Sequence, residues 1–287
     1  MRNALFFCLF AVLTLTNMAQ AQLIQMIDVP GGTLKLGATP EQGSDAYGRE
    51  FPGFVATISD FKIGKYEVTQ QEWINVMNDN PSLMNKWGTS NPVDYINWMS
   101  AIIFCNAATI SSSTLGVTQC VYYKDAAMTL PFTLADYDGN GFTPKAPVYI
   151  NINKKGYRLP TEAEWEYTAR GGASGQATKY SGSNVLDDVG YYASNSEHRS
   201  FPVGLKSPNE LGIYDMSGNV FEMTNDWYGS YSDMPVTDPV GAAEGTHRCV
   251  RGGAYDFAPR MCRVSSRYLI LPDDRDSDVG FRVAQTK

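Results

Sequence analysis

The chain predicts an α+β fold with little regular secondary structure, on three observations. Helical periodicity occurs in only three short segments, strand-like alternation is confined to short runs, and turn residues fill the intervals between them. The sharpest helix lies in residues 156–172, Gly-Tyr-Arg-Leu-Pro-Thr-Glu-Ala-Glu-Trp-Glu-Tyr-Thr-Ala-Arg-Gly-Gly. Thr161 and Glu164 make a capping box: the threonine hydroxyl accepts from the Glu164 backbone N–H, and the Glu164 carboxylate reaches back to the N–H of Thr161. Pro160 cannot continue a preceding helix, and Gly171 and Gly172 offer the positive φ that closes one, so the helix is held to roughly two and a half turns. A second helix is predicted over about residues 69–77, where Thr69 caps and Glu72 completes the same box. A third covers about residues 98–107, with Met99, Ile102, Ile103 and Cys105-Asn106 on one apolar face. The strand candidates are residues 55–63, 120–123, 148–152 and 248–251, none of them long. With 26 glycines and 15 prolines, only slightly above average usage, the chain is expected to be ordered.

The first 21 residues read as a secretory signal and not as part of the fold. Arg2 gives a positive start, residues 4–15 are a short apolar run, and Ala19-Gln20-Ala21 is a small-x-small cleavage site, which puts the mature chain at residues 22–287. The apolar run is too short for a permanent bilayer anchor, and Cys8 lacks the small residues expected before a lipid-modified cysteine. A secreted or periplasmic protein without membrane insertion is the expectation. The 266 mature residues show no linker or repeat and read as one large domain. Losing Arg2 takes the net charge from −7 to −8, which repels phosphate backbones and argues against nucleic acid as a partner. A monomer is expected.

Residues 156–166 also resemble the central signature of the formylglycine-generating enzyme family, also called sulfatase-modifying factors, and further strings flank it in the family's order. Upstream stand Val29-Pro30-Gly31-Gly32, then Lys65-Tyr66-Glu67-Val68-Thr69-Gln70-Gln71-Glu72-Trp73, and Asn91-Pro92-Val93. Downstream stand Asn209-Glu210-Leu211-Gly212-Ile213-Tyr214-Asp215-Met216-Ser217-Gly218-Asn219-Val220-Phe221-Glu222, then Arg251-Gly252-Gly253, and Gly280-Phe281-Arg282. Together they cover nearly all of the mature chain. The resemblance implies the family's variant of the C-type-lectin-like fold, which agrees with the low helix count.

Asp215-x-x-Gly218-x-Val220-x-Glu222 is the foremost candidate site. A hard cation such as Ca²⁺ takes six or more oxygen ligands, and two carboxylates around a glycine turn, with backbone carbonyls, supply four of them. In the family the matching positions bind calcium through the two side chains and the carbonyls at Gly218 and Val220; the plainer alternative is that Asp215 and Gly218 only shape a turn. The resemblance also implies a second calcium site near Asn195 and the carbonyl of Glu197, completed by Asn184 and the carbonyl of Val185, although asparagine is a common turn residue in any loop. Asp136-x-Asp138-x-Asn140-Gly141 imitates the start of an EF-hand loop, but Pro147 stands where the bidentate glutamate belongs, so a solvated turn is the better reading. The run from Asp273 to Asp278 reads as an exposed loop with local charge pairing.

The family's oxidase chemistry uses two thiols five residues apart, shortly after Arg-Gly-Gly, which bind copper and pair with a substrate cysteine. Thiolates suit Cu(I), so the pair is a requirement of that chemistry. Here Phe257 stands at the first position; Cys262 falls at the second counting from Arg251 and in a neighbouring register counting back from Gly280-Phe281-Arg282. The two-thiol copper site is therefore expected to be missing, with Cys262 the one weak catalytic candidate. The family also links the position matching Cys105 to the region near Cys262, which implies a Cys105–Cys262 disulfide, against buried unpaired cysteines. Iron enzymes carrying this domain use three histidines, whereas this chain has only His198 and His247, each expected to be a surface or hydrogen-bonded loop residue. The sequence thus points to a secreted, calcium-stabilised binding or accessory protein whose ligand is a protein, peptide or glycan. An oxidase acting on protein cysteines and a structural component of an envelope assembly are the alternatives.

Overall fold

The computed structural model describes residues 24–139, 141 and 146–287. The leader assigned to residues 1–21 lies outside the described residues, as does Asn140 of the EF-hand-like run.

Four helices form. α1 (Gln70–Met77) starts at the Thr69/Glu72 capping box, and α3 (Glu162–Ala169) at the Thr161/Glu164 box, both with each reciprocal bond present. After α3, Gly171 and Gly172 take φ of 79° and 61°, the left-handed closure their sequence predicts. Between them lies α2 (Trp98–Ser111), capped by the Asn97 side chain, which accepts from the Ser100 N–H at 2.8 Å. It corrects the expectation of a single apolar face, because residues 98–109 are all buried. The buried amide of Asn106 is tolerated there because it is fully bonded: Nδ2 donates to the carbonyls of Tyr122 and Phe132, and Oδ1 accepts from the N–H groups of Val121 and Tyr122. α4 is a single turn, Leu186–Val189.

The strands in chain order are β1 (Met26–Val29), β2 (Gly32–Leu36), β3 (Phe54–Ile58), β4 (Phe61–Gly64), β5 (Tyr122–Tyr123), β6 (Tyr149–Ile150), β7 (Phe221–Trp227), β8 (Val236–Thr237), β9 (Arg248–Arg251), β10 (Arg267–Ile270), β11 (Val279–Gly280) and β12 (Ala284–Thr286). They form sheets of order β1-β4-β12, β10-β9-β7-β11 and β2-β3-β8, with β5 and β6 paired separately. β1 and β12 flank β4, so the two ends of the described chain close on one strand. The run 55–63 is two strands and not one. At the break, Asp238 accepts from the Ser59 N–H and hydroxyl, and Asp60 accepts from the Gly31 N–H, which ties the corner down.

The larger core gathers around α2, where Trp73 stacks on Phe104 at 5.4 Å and Phe281 meets both edge-on. A second cluster packs Trp165 and Tyr167 of α3 against β1 to β4, with Ile213 and Met216 from the loop that carries the predicted calcium residues. Among the described residues no helix is long and apolar enough to cross a membrane.

Candidate functional site

α3 and its flanks are the electrostatic centre of the molecule. Its glutamates point to arginines brought from distant segments. Glu164 pairs with Arg158 at 2.7 Å, Glu166 with Arg170 at 2.8 Å and with Arg251 at 2.6 Å, and Glu162 with Arg267 at 2.5 Å. Burial alone would push the Glu162 carboxyl up, but Arg267 and then Arg251 hold it down at about 2. The Arg251 of the Arg-Gly-Gly motif is fully buried in this network, so that motif orders the interior.

The predicted calcium loop lies beside this network. Gly218 has φ of 90°, and a Cβ there would stand 2.2 Å from the Tyr191 carbonyl, so the turn requires glycine on two counts. Asp215 and Glu222 are both buried, and Glu67 joins them. Glu222 is already neutralised. Arg282 donates to both of its oxygens, at 2.6 and 2.7 Å, and the Trp165 indole N–H adds a third bond at 2.7 Å. Asp215 accepts from the Gly204 N–H at 2.8 Å, and Glu67 from the Asn219 amide and the Val220 N–H. Burial and the neighbouring carboxylates push the Glu67 carboxyl well above the ordinary range; burial pushes Asp215 to about 6, partly offset by Gly204 and Arg282.

Three carboxyl groups thus face one guanidinium, and of the three only Glu222 bonds it directly. Among the described residues no three His, Cys, Asp or Glu side chains form a metal-holding group. Any ion here would lean on carbonyls and water, as hard-cation sites do. Glu67 is the residue sequence reasoning missed. Its signal was an acid standing alone in the Lys65 to Thr69 string, next to residues that pack.

The second predicted set is less drawn together. The Asn184 side-chain oxygen accepts from the Lys179 N–H, and that of Asn195 from the Tyr192 N–H, while the Asn195 amide donates to Asp187 and to the Gly190 carbonyl. Val185 is exposed, and Glu197 reaches toward Arg199 at 3.5 Å with its own φ at 54°. Both asparagine oxygens are occupied in shaping their own turns. Asp136 likewise caps a turn and pairs with Lys124. His198 is exposed and bonded to Asp256, and His247 to Thr246, as loop residues.

After Arg251-Gly252-Gly253 the chain presents a ring at Phe257, packed edge-on against Phe221 at 4.9 Å and tilted against Tyr268 at 6.5 Å. These rings line a cavity of about 340 Å³ that Asp274, Asp276 and Asp278 also border. Cys262 is buried, 4.0 Å from the Ala258 carbonyl, and burial pushes its thiol up to about 12. The implied Cys105–Cys262 disulfide is corrected: Cys105, Cys120, Cys249 and Cys262 are all free. The reason is packing, since Cys105 belongs to the large core around α2 and Cys262 to a separate small cluster with Tyr180, Leu186 and Val189. Burial raises all four thiols, Cys120 to about 11 and Cys105 and Cys249 higher.

Short sheets, three capped helices and a buried arginine–glutamate web define an α+β protein of the formylglycine-generating-enzyme fold. Residues 13–287 match the sulfatase-modifying factor enzyme 1-like domain, and the chain belongs to that family. It is 37% identical to the chaperone protein LppX of Paenibacillus barcinonensis, over 80% of this chain and 82% of that protein. It is 27% identical to the formylglycine-generating enzyme of Thermomonospora curvata, over 90% and 92% of the two chains. Among solved structures, Treponema denticola variable protein 1 superposes with a TM-score of 0.78 and 33% identity, covering 91% of this chain and 95% of that one.

Proposed function

We propose that this chain is an exported binding or accessory protein of its family, stabilised by calcium and without copper-dependent oxidase activity. The observation that carries the reading is Phe257, whose ring fills the place where the resemblance puts the first catalytic thiol and packs on Phe221 and Tyr268. A phenyl ring neither ligates a metal nor exchanges with a disulfide. The one neighbouring thiol, Cys262, is buried and protonated at neutral pH, so it offers no thiolate to soft Cu(I). Support also comes from the relative named a chaperone protein, a role that needs binding and no redox step. The cavity beside Phe257 combines aromatic rings with three aspartates against one arginine, Arg275, a net acidic lining that suits a protein or peptide ligand presenting apolar and basic side chains. Calcium is assigned to Asp215 and Glu67, with Glu222 holding the loop through Arg282.

The test is to incubate the mature protein with Cu(I), oxygen and a peptide carrying Cys-x-Pro-x-Arg, and to follow the peptide by mass spectrometry. The peptide thiol is expected to survive. Its conversion to an aldehyde, lost on Cys262→Ser, would reverse the reading in favour of an oxidase.

A further inference from the structure

Arg248, the first residue of β9, stands apart from the other buried arginines. Arg158, Arg170, Arg251, Arg263, Arg267 and Arg282 each pair with a glutamate. Arg248 is 5% exposed, and among the described residues it has no carboxylate within ion-pairing distance. Its guanidinium is sandwiched between two indoles, 3.6 Å from the Trp98 ring centroid and 3.4 Å from that of Trp227. Nη1 donates to the Asn225 carbonyl at 2.8 Å, while Nε and Nη2 have no acceptor. Stacking serves both faces of the guanidinium and leaves its edge unmet. Asp226 lies outside ion-pairing distance of Arg248 and accepts instead from the Glu162 N–H, and burial and Glu162 push its own carboxyl well above the ordinary range. In keeping with this, burial pulls Arg248 down to about 9.

The same arginine lines a cavity of about 610 Å³, within the size range of small-molecule sites. The other walls are apolar, chiefly Trp98, Met99, Val148, Ile150, Val240 and Pro272. A largely apolar cavity whose buried guanidinium meets no carboxylate among the described residues is an unfavourable arrangement unless an anion completes it.

We propose that this cavity binds a small organic acid, with a single carboxylate against the Arg248 guanidinium and an apolar body against Trp98, Ile150 and Val240. A guanidinium N–H donor to a carboxylate oxygen makes a charge-assisted hydrogen bond. One cation balances one negative charge, so a phosphate dianion would leave charge uncompensated in the same apolar walls. The site shares no lining residue with the Phe257 cavity and holds or fails independently of its assignment.

The experiment is calorimetric titration of the mature protein at pH 7 with 4-phenylbutyrate, with its neutral isostere 4-phenylbutanol, and with acetyl-Phe-Leu bearing a free C-terminus. The acid is expected to bind at least about tenfold more tightly than the alcohol, as a charge-assisted hydrogen bond supplies. Arg248→Gln should bring the acid down to the level of the alcohol. Should that variant not fold, Val240→Trp at the exposed rim narrows the cavity, spares Arg248, and should weaken both probes. Equal affinity for acid and alcohol, no binding of either at millimolar concentration, or acid binding untouched by Val240→Trp overturns the proposal. Peptide binding about tenfold tighter than 4-phenylbutyrate moves the carboxylate to a chain end and overturns the small-acid assignment.

Discussion

Asp215 and Glu222 sit seven residues apart in one loop, and of the two only Glu222 takes hydrogen bonds from Arg282. Glu222 takes both guanidinium bonds, so Glu222→Ala should destabilise by about 3 kcal/mol, with or without calcium, by leaving Arg282 buried and unpaired. Asp215→Asn should act in the opposite direction. The amide keeps an acceptor for the Gly204 N–H, tolerates the residue's φ of 60°, and removes a charge that burial penalises. Without calcium at pH 7 it should stabilise by on the order of 2 kcal/mol, and the calcium response should vanish; urea unfolding with calcium and with chelator reads both effects. The thiols give a second residue-level prediction. With every one of them buried and its pKa raised, iodoacetamide at pH 8 should label none of Cys105, Cys120, Cys249 and Cys262 in the native protein and all four in denaturant. Native labelling of Cys262 alone, found by peptide mapping, would contradict its burial and reopen a one-thiol chemistry.

The elements that were legible in the sequence are those whose signals are local. Both capping boxes and the Gly171-Gly172 stop were read correctly because cap and partner are three residues apart and act through one turn of backbone. Thr161→Ala should therefore cost about 1 kcal/mol. The loss should exceed that of Thr69→Ala, because Glu164 in the α3 box also anchors buried Arg158; parallel urea midpoints compare the two. Among the strands that went unread is β7, on which the four-stranded sheet is built. Its first six residues are all buried, so the alternation that marks a half-exposed strand is absent, and Glu222, Asn225 and Asp226 disguise it further. The polar residues are affordable only through partners far away in sequence, Arg282 for Glu222 and the Glu162 N–H for Asp226, and spacing does not reveal such partners. The same limit hid Glu67 from the acid cluster and kept Cys105 and Cys262 paired on resemblance, when only three-dimensional packing separates their two clusters.

At the scale of the whole molecule, two kinds of buried acid set how stability depends on pH. Glu162 has its carboxyl depressed to about 2, so the stability it contributes is present above the unfolded value near 4.5 and is lost as pH falls through 2. Asp215 has the reverse sign. Its folded value near 6 lies above the unfolded value of 3.8, so between them the folded state holds the proton that the unfolded state has released, and stability falls as pH rises through that window. Glu67 is raised in the same direction, and so are Asp94, to about 7, and Asp278, to about 6. Without metal, the protein should therefore be most stable near pH 4 to 5 and lose stability toward pH 7.5. Calcium at Asp215 and Glu67 competes with those protons, so its benefit should be small at pH 5 and grow to roughly 2.7 kcal/mol at pH 7.5 when calcium stands at a hundredfold its Kd. Melting curves at the two pH values, each with calcium and with chelator, test this directly. A chelator-insensitive melting temperature at pH 7.5 removes the calcium assignment, whereas an equal calcium shift at both pH values places the ion away from Asp215 and Glu67.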